Sequence, residues 1–443
     1  MIPVQREVLR VGAFLLVSFA VVGLSAAYWS VSGPTSLLLR NDNARQLIAA
    51  RSVARGALLD RTGAPLAVSV QTEGGMARTY TPVVDPAILG TVVNGTGVSG
   101  AEAVWDPILR GESQDSVETA IQNLMHQPQA GNDVRLSLSL EVQQALVDGF
   151  GDSTGAAVVI SMTDGEILGM ISRPADPAAD ATPEPGESTS PENVAINGQY
   201  PVGGALLPAW LSAALLEGTD ITQAVFPAGA CAANVPESLA ISLQESFLYG
   251  CPDPFQAMAS GMSRDAVNAT LSRFIVSPPQ DTLAGILDAV PVASGAAERT
   301  ASALAVALMS AAIADDGAAP SPVIGLDWQP PGDAEPTSLV TERPPIPVTT
   351  ATTARRLQDI MRQAVAEGAA QNAGRARLDI GGLAALAGSE VSPVAWFTGF
   401  TSLPNRQGAA VAIVLDGTTD TGLAADIGGA ALEAAASALQ GDR

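Results

Sequence analysis

The chain has 443 residues, enough for two or three domains with large cores, and 47% hydrophobic against 15% charged residues excludes disorder of the whole. A net charge of −23 with no clustered basic patch argues against a nucleic-acid partner and fits an Ala-rich surface kept soluble by its acidity. All 22 basic residues are Arg, the only His is His126, and the only cysteines are Cys231 and Cys251. Arg stays protonated and cannot act as a general base, so Ser–Lys chemistry is impossible and Ser–His chemistry has one candidate. A structural zinc site needs four Cys or His ligands, which the chain lacks. No cofactor motif stands out.

The first element is Val11–Val31, VGAFLLVSFAVVGLSAAYWSV, 21 residues without a charge. As a helix it would span roughly 31 Å, about one bilayer core, with Tyr28 and Trp29 at an interfacial position. A cleaved signal peptide is the competing reading, with Ser25-Ala26-Ala27 as a weak site. The apolar run continues past that site, which favours an uncleaved anchor. Arg6 and Arg10 before the helix are balanced by Arg40 and Arg45 after it, so basic residues do not set the orientation. A ten-residue tail, 1–10, before a large domain places the N-terminus in the cytoplasm and the rest outside.

Arg40–Arg55 reads as a short helix or stalk. In RGALLDRTGAPLAVSV, Asp60, Gly63 and Pro65 set a turn between two β-rich runs. A helix is expected in SVETAIQNLM, and a new unit begins near Asn132. There LSLEVQQALVDGF has helical periodicity, and TGAAVVISMTDGEILGMIS reads as two strands joined at Thr163-Asp164-Gly165. RPADPAADATPEPGESTSPEN is a Pro-rich surface loop. Helices follow in PAWLSAALLEG, ESLAISLQESFLY and TASALAVALMSAAIADDG, and residues 327–350 read as irregular. The chain closes with a helix near Thr353–Glu367, paired strands in VAWFTGFTS and GAAVAIVLDG, and an Ala-rich helix. This order implies an α+β domain with helices covering an antiparallel sheet.

The blocks RGALLDRTGAPLA, GVSGAEAVWDPILRG, GNDVRLSLSLEVQQAL, GAAVVISMTDGEILGMISRPADP and QYPVGGALLPAWLSAALLEG, in this order behind an apolar N-terminus, resemble the class B penicillin-binding proteins. These are membrane-anchored D,D-transpeptidases that cross-link peptidoglycan, and the compact PbpA-like type is the nearest in pattern. The resemblance implies a transpeptidase-like (serine β-lactamase-like) fold over 132–443 and a smaller membrane-proximal pedestal over 32–131.

The family's chemistry rests on three motifs, and this chain departs from each. S-x-x-K places an amine beside the nucleophilic hydroxyl on one helix face. The matching PVGGALLP has Gly204 at the nucleophile position and Leu207 at the lysine position. S-x-N corresponds to GCPDPF, with Gly250, Cys251 and Pro252, and Phe255 as framework. K-T-G followed by Thr or Ser falls on LAALAGSE, with Leu386, Ala387, Gly388 and Ser389. A slip of a residue or two there changes nothing, since the chain holds no Lys. Losing one member of a nucleophile–base unit costs about 10⁴- to 10⁶-fold in rate, so the expectation is a pseudo-transpeptidase on an intact framework of Pro201, Gly203, Pro208, Trp396, Phe397 and Gly399.

What the resemblance then implies is a scaffold or regulator of peptidoglycan synthesis. Its membrane partner would be a SEDS-family glycosyltransferase of the RodA/FtsW type, engaged through the anchor and the region Arg55–Ala67. The alternative is a module whose degenerate cleft still binds a peptidoglycan stem peptide; a hydrolase with an unforeseen carboxylate mechanism is the third. His126 reads as a surface or packing residue and Asp315-Asp316 as a solvated pair after a helix. Cys231 and Cys251 are either buried thiols or a disulfide. An even count in an exported chain favours the disulfide.

Overall fold

The computed structural model describes residues 3–38, 54–72, 75–93, 96–111, 131–174, 192–223, 225–261, 264–275, 300–332, 335–404 and 407–441. Most of the stalk 40–55, the SVETAIQNLM helix with His126, and most of the Pro-rich loop after Arg173 lie outside these residues.

The first helix, α1 (Pro3–Leu38), carries the uncharged run, and its side chains at 10–26 are exposed apart from a half-buried Ser18. Its side chains are described only at 10–26 and 28, a stretch of roughly 25 Å. Among the described residues no helix is long and apolar enough to cross a membrane. The run offered as an anchor is longer than that stretch.

The next unit is a six-stranded sheet. β1 (Leu58–Leu59) turns into β2 (Pro65–Thr72), which pairs antiparallel with β3 (Gly75–Tyr80). The expected turn between β1 and β2 is present: Asp60 Oδ1 accepts from the backbone N–H groups of Thr62 and Ala64, both at 2.8 Å. A short helix, α2 (Gly100–Val104), brings Glu102 under this sheet. β4 (Asp133–Leu136) then runs parallel to β1.

Glu102 is fully buried between two guanidinium groups. Arg55 Nε donates to its Oε2 at 2.6 Å and Arg78 Nε to its Oε1 at 2.7 Å. Arg55 also donates to Asp106 Oδ1 at 2.5 Å, and Arg78 to the Gly56 carbonyl at 2.8 Å. The blocks RGALLDRTG and GVSGAEAVWD are thus two halves of one charge network, which joins the start of the unit to its middle. Burial pushes the neighbouring Tyr80 hydroxyl up to about 12, with Glu102 adding to the rise.

α3 (Leu140–Phe150) starts at Ser139, whose hydroxyl caps Val142 N. β5 (Gly155–Ser161) and β6 (Ile167–Arg173) form the hairpin expected at Thr163-Asp164-Gly165, with Ser161 donating to Asp164 inside the turn. α4 (Leu207–Leu216), α5 (Leu243–Tyr249), α6 (Asp253–Ser260), α7 (Ala303–Ala314) and α8 (Ala351–Glu367), with a further helix at Arg264–Phe274, make up the helical part. β7 (Gly325–Gln329) straddles the start of the segment 327–350 read as irregular, and β8 (Thr337–Ser338) lies inside it. They return to the first sheet and give the order β8-β7-β4-β1-β2-β3. A boundary at 131/132 therefore cuts through this sheet, because pairing across about 190 residues leaves no local trace in the sequence.

The second sheet holds β9 (Asp379–Gly388), β10 (Pro393–Ser402) and β11 (Gly408–Asp416), in the all-antiparallel order β9-β10-β11-β5-β6. The final helix α9 (Thr421–Gly441) packs with α3 on one face, and α7 packs on the other. β5 shows why both faces must be covered. Ala157 and Val159 face the core of α3 and α9, whereas Ala156, Val158 and Ile160 face the core of α7. α7 is apolar all round and every residue in it is buried, as such a helix requires.

The sequence reading of ESLAISLQESFLY as one helix is corrected at its start. α5 begins only after Ser242, where Ser242 Oγ accepts from Glu245 N at 3.1 Å and Glu245 Oε2 accepts from Ser242 N at 2.8 Å. This capping box satisfies the first orphan donors, and Ala240–Ile241 pair instead with Phe226–Pro227.

Replacing Glu102 by Ala leaves two buried guanidinium groups without their carboxylate. The expected loss of stability is about 3–5 kcal/mol, read by urea unfolding of wild type and variant. A loss under about 1 kcal/mol would show that the network is not the core of this unit.

Candidate functional site

Pro201 to Leu207 lead into α4. The Pro201 carbonyl accepts from Trp396 Nε1 of β10 at 2.7 Å, and Tyr200 stands edge-on to the Trp396 ring with centroids 6.3 Å apart. Burial raises the Tyr200 hydroxyl far above its usual range, with Asp416 and Glu192 adding to the effect, so it is held neutral. Gly203–Leu206 form one 3₁₀ turn, and Leu207 N–H donates to the Gly204 carbonyl. The i,i+3 relation between 204 and 207 is therefore present, as residues three apart stack in such a turn. Gly204 is buried and Leu207 is 1% exposed, its side chain part of the apolar core.

The second segment ends α5. Gly250 takes the left-handed conformation, φ +66°, and Cys251 N–H closes back on the Ser246 carbonyl at 2.8 Å. Pro252 is half-buried before α6, and Phe255 is buried beneath it. Cys251 is bonded to Cys231, the arrangement the sequence favoured. The two cysteines, Ala228, Ile241, Val235 and Tyr249 form a small cluster apart from the two large cores. Ala232 N–H donates to the Gly250 carbonyl at 3.1 Å and Ala233 N–H to the Tyr249 carbonyl at 3.0 Å. The segment around 231 thus sits on the loop at 250.

The third segment is β9, the edge strand of the second sheet. Ala384 and Ala385 are buried, Leu386 and Ala387 are half-buried, and Gly388 and Ser389 are exposed at the hairpin end. Ser389 N–H donates to the Ser392 carbonyl at 3.1 Å there.

Three of the positions read from sequence are brought together by these elements. A Cβ built on Gly204 would lie 2.7 Å from Ala385 Cβ and 3.1 Å from the Leu386 carbonyl oxygen. One on Gly203 would lie 2.7 Å from Ala387 Cβ, and one on Gly250 would lie 2.5 Å from the Ala384 carbonyl oxygen. Gly204, Gly250 and Leu386 therefore converge on β9. Leu207 points into the core behind them and Pro252 lies one step beyond. Gly388 sits at the hairpin end, where its nearest neighbour is the Ser392 carbonyl. The strand residues in contact are 384–387. Sequence reasoning placed the motif at 386–389 and overlooked Ala384, Ala385 and the close approach of Gly203. The available signal was the run of small residues, GG facing LAALA, which is the composition that close backbone packing needs.

No hydroxyl stands at 204 and no amine at 207 or on β9. Among the described residues no group of three His, Cys, Asp or Glu could hold a metal.

A five-stranded antiparallel sheet between helical layers, with a turn and helix start facing its edge strand, is the architecture of a penicillin-binding transpeptidase. Residues 155–437 match the penicillin binding protein transpeptidase domain, and the chain belongs to that family. No curated protein matches it. Among solved structures, penicillin-binding protein A from M. tuberculosis, as an imipenem acyl-enzyme complex, superposes with a TM-score of 0.70 at 24% identity, covering 87% of this chain and 100% of that one. The D,D-transpeptidase domain of a peptidoglycan glycosyltransferase from Eggerthella lenta gives 0.66 at 24%, covering 89% and 100%. Penicillin-binding protein 3 from M. tuberculosis, complexed with aztreonam, gives 0.67 at 19%, covering 88% and 97%. The neighbours establish the fold, and they are the class B proteins that the motif order resembled.

Two stability measurements probe the site. Gly204→Ala forces a methyl against Ala385 and should cost about 1–3 kcal/mol, seen as a lower denaturation midpoint; an unchanged midpoint would mean that the turn and strand stand further apart. Cys231→Ser opens a loop closed over a separation of 20 residues and should cost about 3 kcal/mol. A midpoint indifferent to the substitution and to reductant would refute the contribution of the disulfide.

Proposed function

We propose that this chain is a catalytically inactive penicillin-binding-protein homologue that acts as a scaffold or regulator of peptidoglycan synthesis. The observation that carries the reading is Gly204. It stands where the fold starts the helix that faces the edge strand, and it offers no oxygen for acylation. Leu207, one 3₁₀ turn on, has no amine, and the chain has no Lys to supply one from elsewhere. An acyl enzyme needs a nucleophile and a group to take its proton, and the segments meeting at β9 provide neither.

Residues 11–31 serve as an uncleaved anchor, 1–10 as a cytoplasmic tail and 32–131 as the membrane-proximal pedestal, with the transpeptidase-like part outside the cell. The Cys231–Cys251 disulfide supports this placement, since such bonds persist in oxidising compartments. The partner is a SEDS-family glycosyltransferase, engaged through the anchor and the pedestal in division or elongation. What supports that assignment is the uncharged run at 11–31 and a first sheet organised around a buried ion network. The buried Arg55–Glu102–Arg78 network pairs both carboxylate oxygens of Glu102, and a regulator needs no nucleophile.

Intact-mass spectrometry of the full chain after incubation with a fluorescent penicillin is expected to show no covalent adduct. A stoichiometric mass increase would refute the inactive reading. Replacing 11–31 with an unrelated transmembrane helix is expected to abolish co-purification with the glycosyltransferase. Full retention would move the contact away from the anchor.

A further inference from the structure

The site differs from an open cleft that has merely lost its side chains. Gly203, Gly204 and Gly250 belong to two separate segments, yet all three face one short stretch of one strand edge. The atoms on β9 that a new Cβ would meet include Ala385 Cβ, Ala387 Cβ and the carbonyl oxygens of Ala384 and Leu386, and on the Gly250 side Ala232 Cβ lies 2.8 Å away as well. None is the tip of a flexible side chain; those on the strand move only with β9. β9 in turn is fixed by continuous pairing with β10 from Asp379↔Ser402 to Gly388↔Pro393. In that register Ala385 lies opposite Trp396, whose indole donates to the Pro201 carbonyl. The turn at 203–204 is thus tied to the strand it approaches, through the neighbouring strand. The Gly250 side is tied as well: the disulfide holds its loop, and Ala369 N–H donates to the Leu248 carbonyl at 2.8 Å just before it.

A peptide laid beside β9 as an added strand needs about 4.8 Å between backbones. A Cβ on Gly203 would already be 2.9 Å from the Leu386 carbonyl oxygen. Gly203 is exposed, so this contact lies at the surface of the molecule.

We propose that the degenerate site is a closed seam, in which the main chain has settled into the volume that a nucleophile and its substrate would need. It takes neither a β-lactam nor a peptide ending in D-alanyl-D-alanine, even when the nucleophile, the two lysines and the asparagine are put back. This rests on reading 204, 207, 250–252 and 386 as the lost motifs, and it goes further. Absence of side chains alone would leave a cleft that still binds a stem peptide, whereas a closed seam removes that role too and makes the site a joint between the helical part and the sheet.

The test uses the full chain in detergent with two arms. The variant Gly204→Ser/Leu207→Lys/Pro252→Asn/Leu386→Lys, checked for folding by circular dichroism, is incubated with fluorescent penicillin and weighed by mass spectrometry. No adduct is expected. An adduct on the restored variant, with none on wild type, would overturn the seam and leave the inactive reading standing. The second arm does not depend on the variant folding: a fluorescein-labelled pentapeptide ending in D-alanyl-D-alanine is titrated with wild type and followed by anisotropy. No saturable rise is expected into the millimolar range. A saturable rise that Ala387→Arg removes would overturn the proposal.

Discussion

The approach of the 203–204 turn to residues 385–387 is the constraint on which the functional part of this molecule turns. Two backbones meet there, and they can do so only because the turn carries two glycines and the strand small side chains. The same contact joins the helical part to the second sheet. Adding a methyl there costs packing energy.

The rest of the molecule reinforces that joint from either side. On one side, pairing of β9 with β10 and the Trp396–Pro201 hydrogen bond keep the turn in register with the strand. On the other, the disulfide pins the loop at 250, in a satellite cluster too small to hold itself by apolar burial alone. The first sheet is organised by a different device, a fully buried carboxylate between two guanidinium groups. Such a network is worth little as net stabilisation but is costly to break. The return of β7 and β8 to this sheet then binds it to the transpeptidase-like part without a separate interface.

Much of this was legible in the sequence, and the exceptions have physical causes. The turn at Asp60 and the hairpin at Asp164-Gly165 carry local turn chemistry and were readable directly. So were the all-apolar α7 and the strand pair ending in Asp416. The start of α5 was also written locally, in Ser242-x-x-Glu245, but the apolar periodicity of ESLAI outweighed it. The membership of β7 and β8 in the first sheet could not be read, because strand pairing over such a distance leaves no periodicity behind. At the site, the three glycines at 203, 204 and 250 meet β9 at 384–387, a stretch that overlaps the 386–389 read as the third motif and begins before it. LAALAG has no charged or aromatic marker to set register, and contact follows backbone proximity rather than motif order. The closeness of that contact depends on three glycines whose partners lie far away in the chain, which no local pattern reveals.

The most direct measurement is release of D-alanine from a stem pentapeptide by the purified full chain, followed over hours by a coupled D-amino-acid oxidase assay. The account predicts release no faster than in buffer, with Gly204→Ala indistinguishable from wild type. Release above buffer that is saturable in peptide and lost in Gly204→Ala would contradict it.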